Sequence, residues 1–309
     1  MNNIRLTHFF GFSTVPENLH ESLLREYADN GATTLSMPNL LLESFLAKPD
    51  KAVAFHKLLE KTGVSMPDIH APWGGLWDLS AAETFMRPHL GAGHRLCLEI
   101  LADFGAKTYT VHIGRGECMT NGGVFTPEMH RRVIETLEAI IPTAEKLGIV
   151  ICVENVFNPA GTPAVLASCI EPFKGSPAIG ICIDVGHAHI MDPEVPRPEG
   201  APICGPAYDH DVWGGHMRDG MISFADAMDI LGPHIVTAHV HDNNGLADQH
   251  LCPGQGNMDF DAIFAALANA RASSPSRTKR FSATAACPSP MSAAFSTSLW
   301  SGFVSEAAP

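Results

Sequence analysis

Ile149-Val150-Ile151-Cys152-Val153-Glu154-Asn155 is five apolar residues ending on a carboxylate and an amide. Ile179-Gly180-Ile181-Cys182-Ile183-Asp184-Val185-Gly186-His187 repeats the pattern further along the chain. Both runs are apolar at every position rather than at alternate ones. Strands covered on both faces read this way, as in a parallel sheet wrapped by helices. The same ending recurs on both sides of these two runs, in Asp68-Ile69-His70-Ala71-Pro72, in Val111-His112-Ile113-Gly114 and in His239-Val240-His241-Asp242-Asn243, which Asp248-Gln249-His250 follows. His, Asp and Glu at consecutive strand ends imply that the strands converge on one point. A parallel barrel produces that convergence, because its active site lies where the strand C-termini meet.

The intervening sequence alternates accordingly. Strand-like runs are read at 4–10, 32–37, 64–70, 107–113, 149–156, 179–185 and 235–241, with helical patterns over 17–29, 50–62, 85–104, 126–147, 162–173 and 224–231. Several of the helices stop at Gly, and Thr126-Pro127-Glu128 opens one by the N-cap and N1-proline rule. Seven β/α units make an α/β protein with a (β/α)8 TIM barrel the economical fold. A doubly wound open sheet is the alternative, but Phe9-Phe10-Gly11-Phe12-Ser13 is not the Gly-rich phosphate loop with which such a sheet usually begins.

Two stretches break the alternation. Asp192–Gly220 is rich in Pro and Gly and is about twice the length at which a plain loop becomes unusual, so it reads as a lid at the rim of the site. From Arg271 onward the chain is Ser, Ala, Thr and Pro with a basic excess. It shows no clean eighth strand, which is therefore expected to be missing or degenerate, with the edges of the first and seventh strands exposed. The domain reading is a barrel over 1–270 and an atypical tail, disordered or foreign to the fold, over 271–309. A shift of reading frame in the coding sequence would account for such a tail.

Glu154 and Asp184 each follow buried apolar runs, where a charged carboxylate is costly unless paired or bound to a cation. No Lys or Arg neighbours either residue in sequence, which favours metal ligation over a structural salt bridge. Gly186 permits the tight turn that brings His187 back to the same place. His189 shares its alternation and is read as support for a ligand. His70 and His112 end their strands in the same manner. His239 and His241 share one strand face by the period-2 rule, so one can ligate while the other orients it or meets substrate. Asp248 and His250 return in a loop closed by Pro253-Gly254-Gln255-Gly256. Trp73 and Trp77, in Trp-Gly-Gly-Leu-Trp after His70, are expected to place aromatic surface at the mouth for a substrate ring. No G-x-S-x-G elbow, P-loop or H-E-x-x-H helix competes with this reading.

With 309 residues, 45% of them hydrophobic, the chain can bury a large core. Its formal charge of −13 disfavours a phosphate-backbone partner. Eight scattered cysteines, none in a C-x-x-C pair, suit a reduced cytosolic compartment. Cys152 and Cys182, inside strand-like runs, read as small buried hydrophobes. No signal-peptide h-region or membrane span is evident, so the expectation is a soluble cytoplasmic protein.

Taken jointly and in order, these motifs resemble the xylose isomerase-like TIM barrel superfamily, which includes sugar-phosphate isomerases and epimerases and endonuclease IV. The resemblance covers about Ile4 to Ala270. It implies Glu154, Asp184 and His239 as core ligands of a divalent metal ion (Mn²⁺, Mg²⁺, Co²⁺ or Zn²⁺). His239 is taken over His241 because the family's ligand stands three residues before the Asp, here Asp242. In members with more than one metal, His70, His112, His187, Asp248 and His250 are ligands as well; in one-metal epimerases the residue like His187 contacts substrate. The family also carries a Glu at the end of the eighth strand, which would fall near Ala283. Nothing acidic stands there, and Glu306 comes far later, which leaves Glu154 without its implied acid–base partner. The implied activity is proton transfer alpha to a carbonyl by a metal-dependent isomerase or epimerase, with Glu154 as base. The implied partner is a small sugar or sugar phosphate, and a homo-oligomer is compatible with the family. An endonuclease IV-like phosphodiesterase and a non-catalytic metal- or sugar-binding barrel are the alternatives.

Overall fold

The computed structural model describes residues 5–74, 76–82, 85–118, 121, 123–199, 220–273 and 282–286. Eight parallel strands close into a barrel, each paired with its neighbours in sequence order. They are β1 (Arg5–Phe9), β2 (Thr34–Met37), β3 (Ser65–His70), β4 (Thr108–Val111), β5 (Val150–Glu154), β6 (Ile179–Asp184), β7 (Ile235–Val240) and β8 (Ser282–Ala286). The continuous apolar runs thus lie in a ring covered by helices outside and side chains within. Among the described residues no helix is long and apolar enough to cross a membrane.

The helices follow local rules. Thr126 caps Pro127–Leu147, its hydroxyl accepting from the Met129 amide at 3.2 Å. Gly148 ends that helix at φ +68°, a left-handed conformation that a side chain would strain. The 17–29 pattern begins as a 3-10 turn, Glu17–Leu19, before the α-helix His20–Asp29. Helices over Asn39–Ala47 and Val185–Ile190 were not evident from pattern. The first has no polar N-cap, since Pro38 precedes it, and the second is only six residues long.

The expectation of a missing or degenerate eighth strand is corrected. Ser282–Ala286 pairs with β1 from Arg5↔Ser282 to Phe9↔Ala286 and with β7 from Thr237↔Ser282 to Val240↔Ala285. Neither β1 nor β7 is left as an open edge. The run Ser-Ala-Thr-Ala-Ala lacks the apolar, β-branched signature of the other strands. A strand held on both sides by backbone ladders needs little from its side chains, and small ones fit a crowded seam. The helix Phe260–Ser273 also carries regular structure past residue 270. Residues 274–281 and 287–309, with Glu306, lie outside the described residues, as do 200–219 of the Asp192–Gly220 stretch.

Inside the barrel a polar layer ties the closing seam to the opposite strands. Asp68 on β3 accepts from the hydroxyls of Thr7 on β1 (2.6 Å), Thr108 on β4 (2.8 Å) and Ser282 on β8 (2.7 Å). All four residues are buried. Asp68→Ala would strand the buried Thr7 and Thr108 hydroxyls, each costing about 1–3 kcal/mol when unsatisfied, while Ser282 keeps Thr237 Oγ1 at 3.0 Å. Chemical denaturation of that variant should show a loss of at least about 2 kcal/mol; a loss within error of zero would mean that the layer does not hold the seam.

Candidate metal centre

Every site side chain comes from a strand C-terminus or the first residues after it. His70, Glu154 and Asp184 are the last residues of β3, β5 and β6. His112 follows β4 directly, His239 lies in β7 and His241 just beyond it. His187 sits in the short helix Val185–Ile190, whose N-cap is Asp184: its carboxylate accepts from the His187 amide at 2.8 Å. Gly186 is required there, because a Cβ would lie 2.0 Å from the His241 ring. Asp248 and His250 are carried by the loop after β7. Asp242 shapes that loop by accepting from the Gly254 and Gly256 amides at 2.9 and 2.7 Å and by bridging to Leu251.

The side chains meet on the floor of a cavity of about 440 Å³. Glu154, 2% exposed, is central. Its Oε1 lies 3.0 Å from His239 Nδ1, and its Oε2 lies 2.9 Å from His112 Nε2 and 3.5 Å from His70 Nε2. His239 Nδ1 is also 3.7 Å from Asp184 Oδ2. The spacings of 3.0 Å between Glu154 and His239 and 3.7 Å between His239 and Asp184 are those that bonds of about 2.0–2.2 Å to one ion would give. A flanking group joins His187, His241, Asp248 and His250, with His187 Nε2 3.5 Å from Asp248 Oδ2 and His250 Nε2 3.0 Å from it.

Backbone carbonyls decide which imidazole nitrogen faces the site. His187 Nδ1 lies 2.8 Å from the Asn155 carbonyl and His70 Nδ1 lies 2.8 Å from that of Ala71. A carbonyl only accepts, so both Nδ1 atoms carry protons and both Nε2 atoms are free to ligate. This assigns His187 to the Asp248 side rather than to the Glu154–Asp184 pair that its Nδ1 also approaches. Asn155, which carried no role in the sequence reading, also clamps β5 to β6. Its side chain donates to the Asp184 carbonyl at 2.9 Å and accepts from the Asp184 amide at 2.6 Å.

Other placements differ from expectation. Trp73 lines the cavity, its ring centroid 6.2 Å from that of His112. Trp77 is corrected as a substrate contact: its ring packs on buried His94, centroids 5.4 Å apart, and does not line the cavity. His241 joins the ligand groups, with Nε2 2.9 Å from Asp184 Oδ1. His189 turns away to Asn257 Oδ1 at 2.8 Å. Phe9, Phe157 and Thr284 complete parts of the wall that no motif marked.

The donor set fits a divalent cation. Three buried or half-buried carboxylates face imidazoles, and Asp248 Oδ1 is buried without a hydrogen-bond partner. Among the described residues no Lys or Arg lines the cavity. Electrostatics agree. Burial alone would raise the Glu154 and Asp184 carboxyls, but the imidazoles beside them, His239 and His112 for Glu154 and His187 and His241 for Asp184, hold both below the usual range. Burial would lower His187, yet Asp184 and then Asp248 push it up to about 10. Burial keeps His112 below its ordinary value, a neutral ring ready to ligate.

Without metal, these ion pairs stabilise the fold. The depressed carboxylates contribute above about pH 4.5 and lose that contribution as pH falls. His187 contributes fully below 6.5 and loses its share as pH rises towards about 10. The metal-free protein should thus be most stable between about pH 4.5 and 6.5, and a melting temperature that stays flat from there to pH 10 would contradict these pairings.

Comparisons with known proteins agree with the geometry. An IOLI protein with a bound zinc atom superposes with a TM-score of 0.67 at 14% identity, covering 98% of this chain and 99% of that one. A D-tagatose 3-epimerase-like protein gives 0.66 at 19% identity, covering 98% and 97%. The E. coli 3-keto-D-glucoside 4-epimerase YcjR gives 0.64 at 15%, covering 96% and 98%. At these identities the likeness is one of fold. In sequence, the uncharacterized protein MJ1311 of Methanocaldococcus jannaschii is 27% identical over 204 residues, which span 64% of this chain and 59% of MJ1311. A second match, the uncharacterized protein y4fM of Sinorhizobium fredii, is 28% identical over 90 residues and covers 29% of this chain and 20% of y4fM. The model of the xylose isomerase-like TIM barrel family matches residues 24–276, and the chain belongs to that family.

Proposed function

We propose that this chain is a divalent-metal-dependent isomerase or epimerase of a small sugar, with Glu154 moving the proton alpha to the carbonyl. One observation carries the reading: a buried carboxylate, Glu154, stands at the centre of the cavity floor within reach of His112, His70 and His239. Glu154, Asp184 and His239 would hold the ion, which when bound polarises the substrate's carbonyl and adjacent hydroxyl and so acidifies the C–H between them. Glu154 takes that proton on a carboxylate oxygen and returns it to the neighbouring carbon while the hydroxyl proton passes to the former carbonyl oxygen, which isomerises the sugar; epimerisation needs a proton delivered to the same carbon from the opposite face. Held ionised at neutral pH, it is in the basic form that abstraction needs. His187 and His241 bound the substrate's polar side, while Trp73, Phe9 and Phe157 offer apolar surface to a ring and exclude water. The described wall offers no Lys or Arg to a phosphate, which favours a neutral sugar over a sugar phosphate. The epimerases among the structural neighbours support the same class.

The test uses a panel of aldoses and ketoses in D₂O, with protein loaded in turn with Mn²⁺, Mg²⁺, Co²⁺ and Zn²⁺. NMR should show exchange of the alpha proton with at least one sugar. Glu154→Gln should slow that exchange by about 10²–10⁴-fold, the usual worth of a general base. Full exchange in the variant, or none in the wild type with any metal, would sink the proposal. The variant should also melt earlier without metal, because the carboxylate is paired with imidazoles rather than unpaired as its sequence context suggested.

A second reading has its own observation. The flanking groups His70–His112–Glu154 and His187–His241–Asp248–His250 could seat further ions, the arrangement of an endonuclease IV-like phosphodiesterase. Elemental analysis separates the two: one ion per chain supports the isomerase, whereas two or three, with cleavage of abasic duplex DNA that weakens with salt, support the phosphodiesterase.

A further inference from the structure

Below the carboxylates the site continues into the barrel. Cys182 stands two residues before Asp184 on β6, so strand alternation turns it to the same face. It is the register partner of Glu154 on β5. The side chain is wholly buried. Its Sγ, a Glu154 carboxylate oxygen and a His239 ring nitrogen all lie within 4.8 Å of one another. Among the described residues, no other cysteine joins such a group. Thr284, the register partner of His239 on β8, lines the same cavity with a buried hydroxyl that has no hydrogen-bond partner.

We propose that Cys182 is a thiolate ligand of the metal centre, forming with Glu154 and His239 an S/O/N site that selects Zn²⁺ over Mg²⁺ and Mn²⁺. The proposal rests on the metal-centre part of the function proposed above. As the metal–sulfur bond forms, the thiol proton leaves to solvent and the sulfur lone pair is donated; nothing is oxidised or reduced. Zinc accepts sulfur at about 2.3 Å alongside N and O at about 2.0–2.2 Å. Donors already within 4.8 Å need only small side-chain adjustments to reach those bonds. Thiolate is a soft ligand that hard cations such as Mg²⁺ and Mn²⁺ avoid, so its presence at the floor biases the choice of metal. Cys152, two residues before Glu154 and so one step deeper in the barrel, packs with Val150, Cys182 and Val236 and joins no donor group among the described residues.

The experiment titrates chelator-treated, full-length protein with Co²⁺. A near-ultraviolet sulfur-to-cobalt charge-transfer band should grow with the first equivalent bound. Cys182→Ser should still bind Co²⁺ but lose the band, and its Zn²⁺ affinity should fall at least about tenfold, the lower end of what losing even a supporting group costs. Its Mg²⁺ affinity should be unchanged, and Cys152→Ser should keep the band. Zinc K-edge absorption of the unmodified protein reads the same bond directly, should the Cys182 variant misfold. Bound Co²⁺ without the band, a zinc spectrum without sulfur, or a band persisting in Cys182→Ser would overturn the assignment while leaving the metal centre standing. If neither Co²⁺ nor Zn²⁺ binds at all, the centre falls, and the assignment with it.

Discussion

The structure turns on keeping an ionised carboxylate, Glu154, out of water at the mouth of a barrel. Such a charge costs several kcal/mol unless it is matched. Here each oxygen has an imidazole within about 3 Å, His239 on one and His112 on the other. His112 follows β4, which pairs with β5, whereas His239 lies in β7, two strands further round the ring. Only a curved sheet brings the ends of three such strands onto one carboxylate. Closure of the barrel is therefore what makes the site possible, and the small-residue strand β8 is what completes the closure.

Around that charge the chain spends its polar groups on orientation. Asn155 locks the ends of β5 and β6 together and, through its carbonyl, turns His187 so that Nε2 faces Asp248. Asp242 gathers loop amides, and the Asn243 side chain donates to the Gly186 carbonyl at 2.9 Å, so the loop with Asp248 and His250 is anchored to the Asp184–His187 turn. His250 adopts φ +49°, an uncommon backbone state for a residue with a side chain. Strain held by surrounding hydrogen bonds is typical of sites whose geometry is fixed before ligand arrives. Lower in the barrel, Asp68 and its three hydroxyl partners perform the same service for the seam.

Much of this was legible in the chain. The alternation of apolar runs and Gly-terminated helices marked seven of the eight strands, and the strand-end residues His70, His112, Glu154, Asp184, His187, His239, Asp248 and His250 all reach the one cavity. What escaped is instructive. Ser282–Ala286 has the composition of a linker, yet ladders on both sides make it a strand. Trp73 and Trp77 are four residues apart and look equivalent, but only the first faces the cavity. Cys182 read as an inert hydrophobe, because its neighbours in sequence are isoleucines; its neighbours in space are Glu154 and His239.

The sequence by itself determined which residues stand at the ends of strands, because apolar periodicity, caps and glycine stops act over a few residues. That is enough to name most of the polar residues that line the cavity and to argue for a barrel. The tertiary structure alone decided how the ring closes and which imidazole nitrogen is free. It also decided that Glu154 is paired with His112 and His239 and that a thiol lies beneath the site. Those outcomes depend on strand register and curvature, which set distances between residues tens to hundreds of positions apart, and no local pattern carries that information.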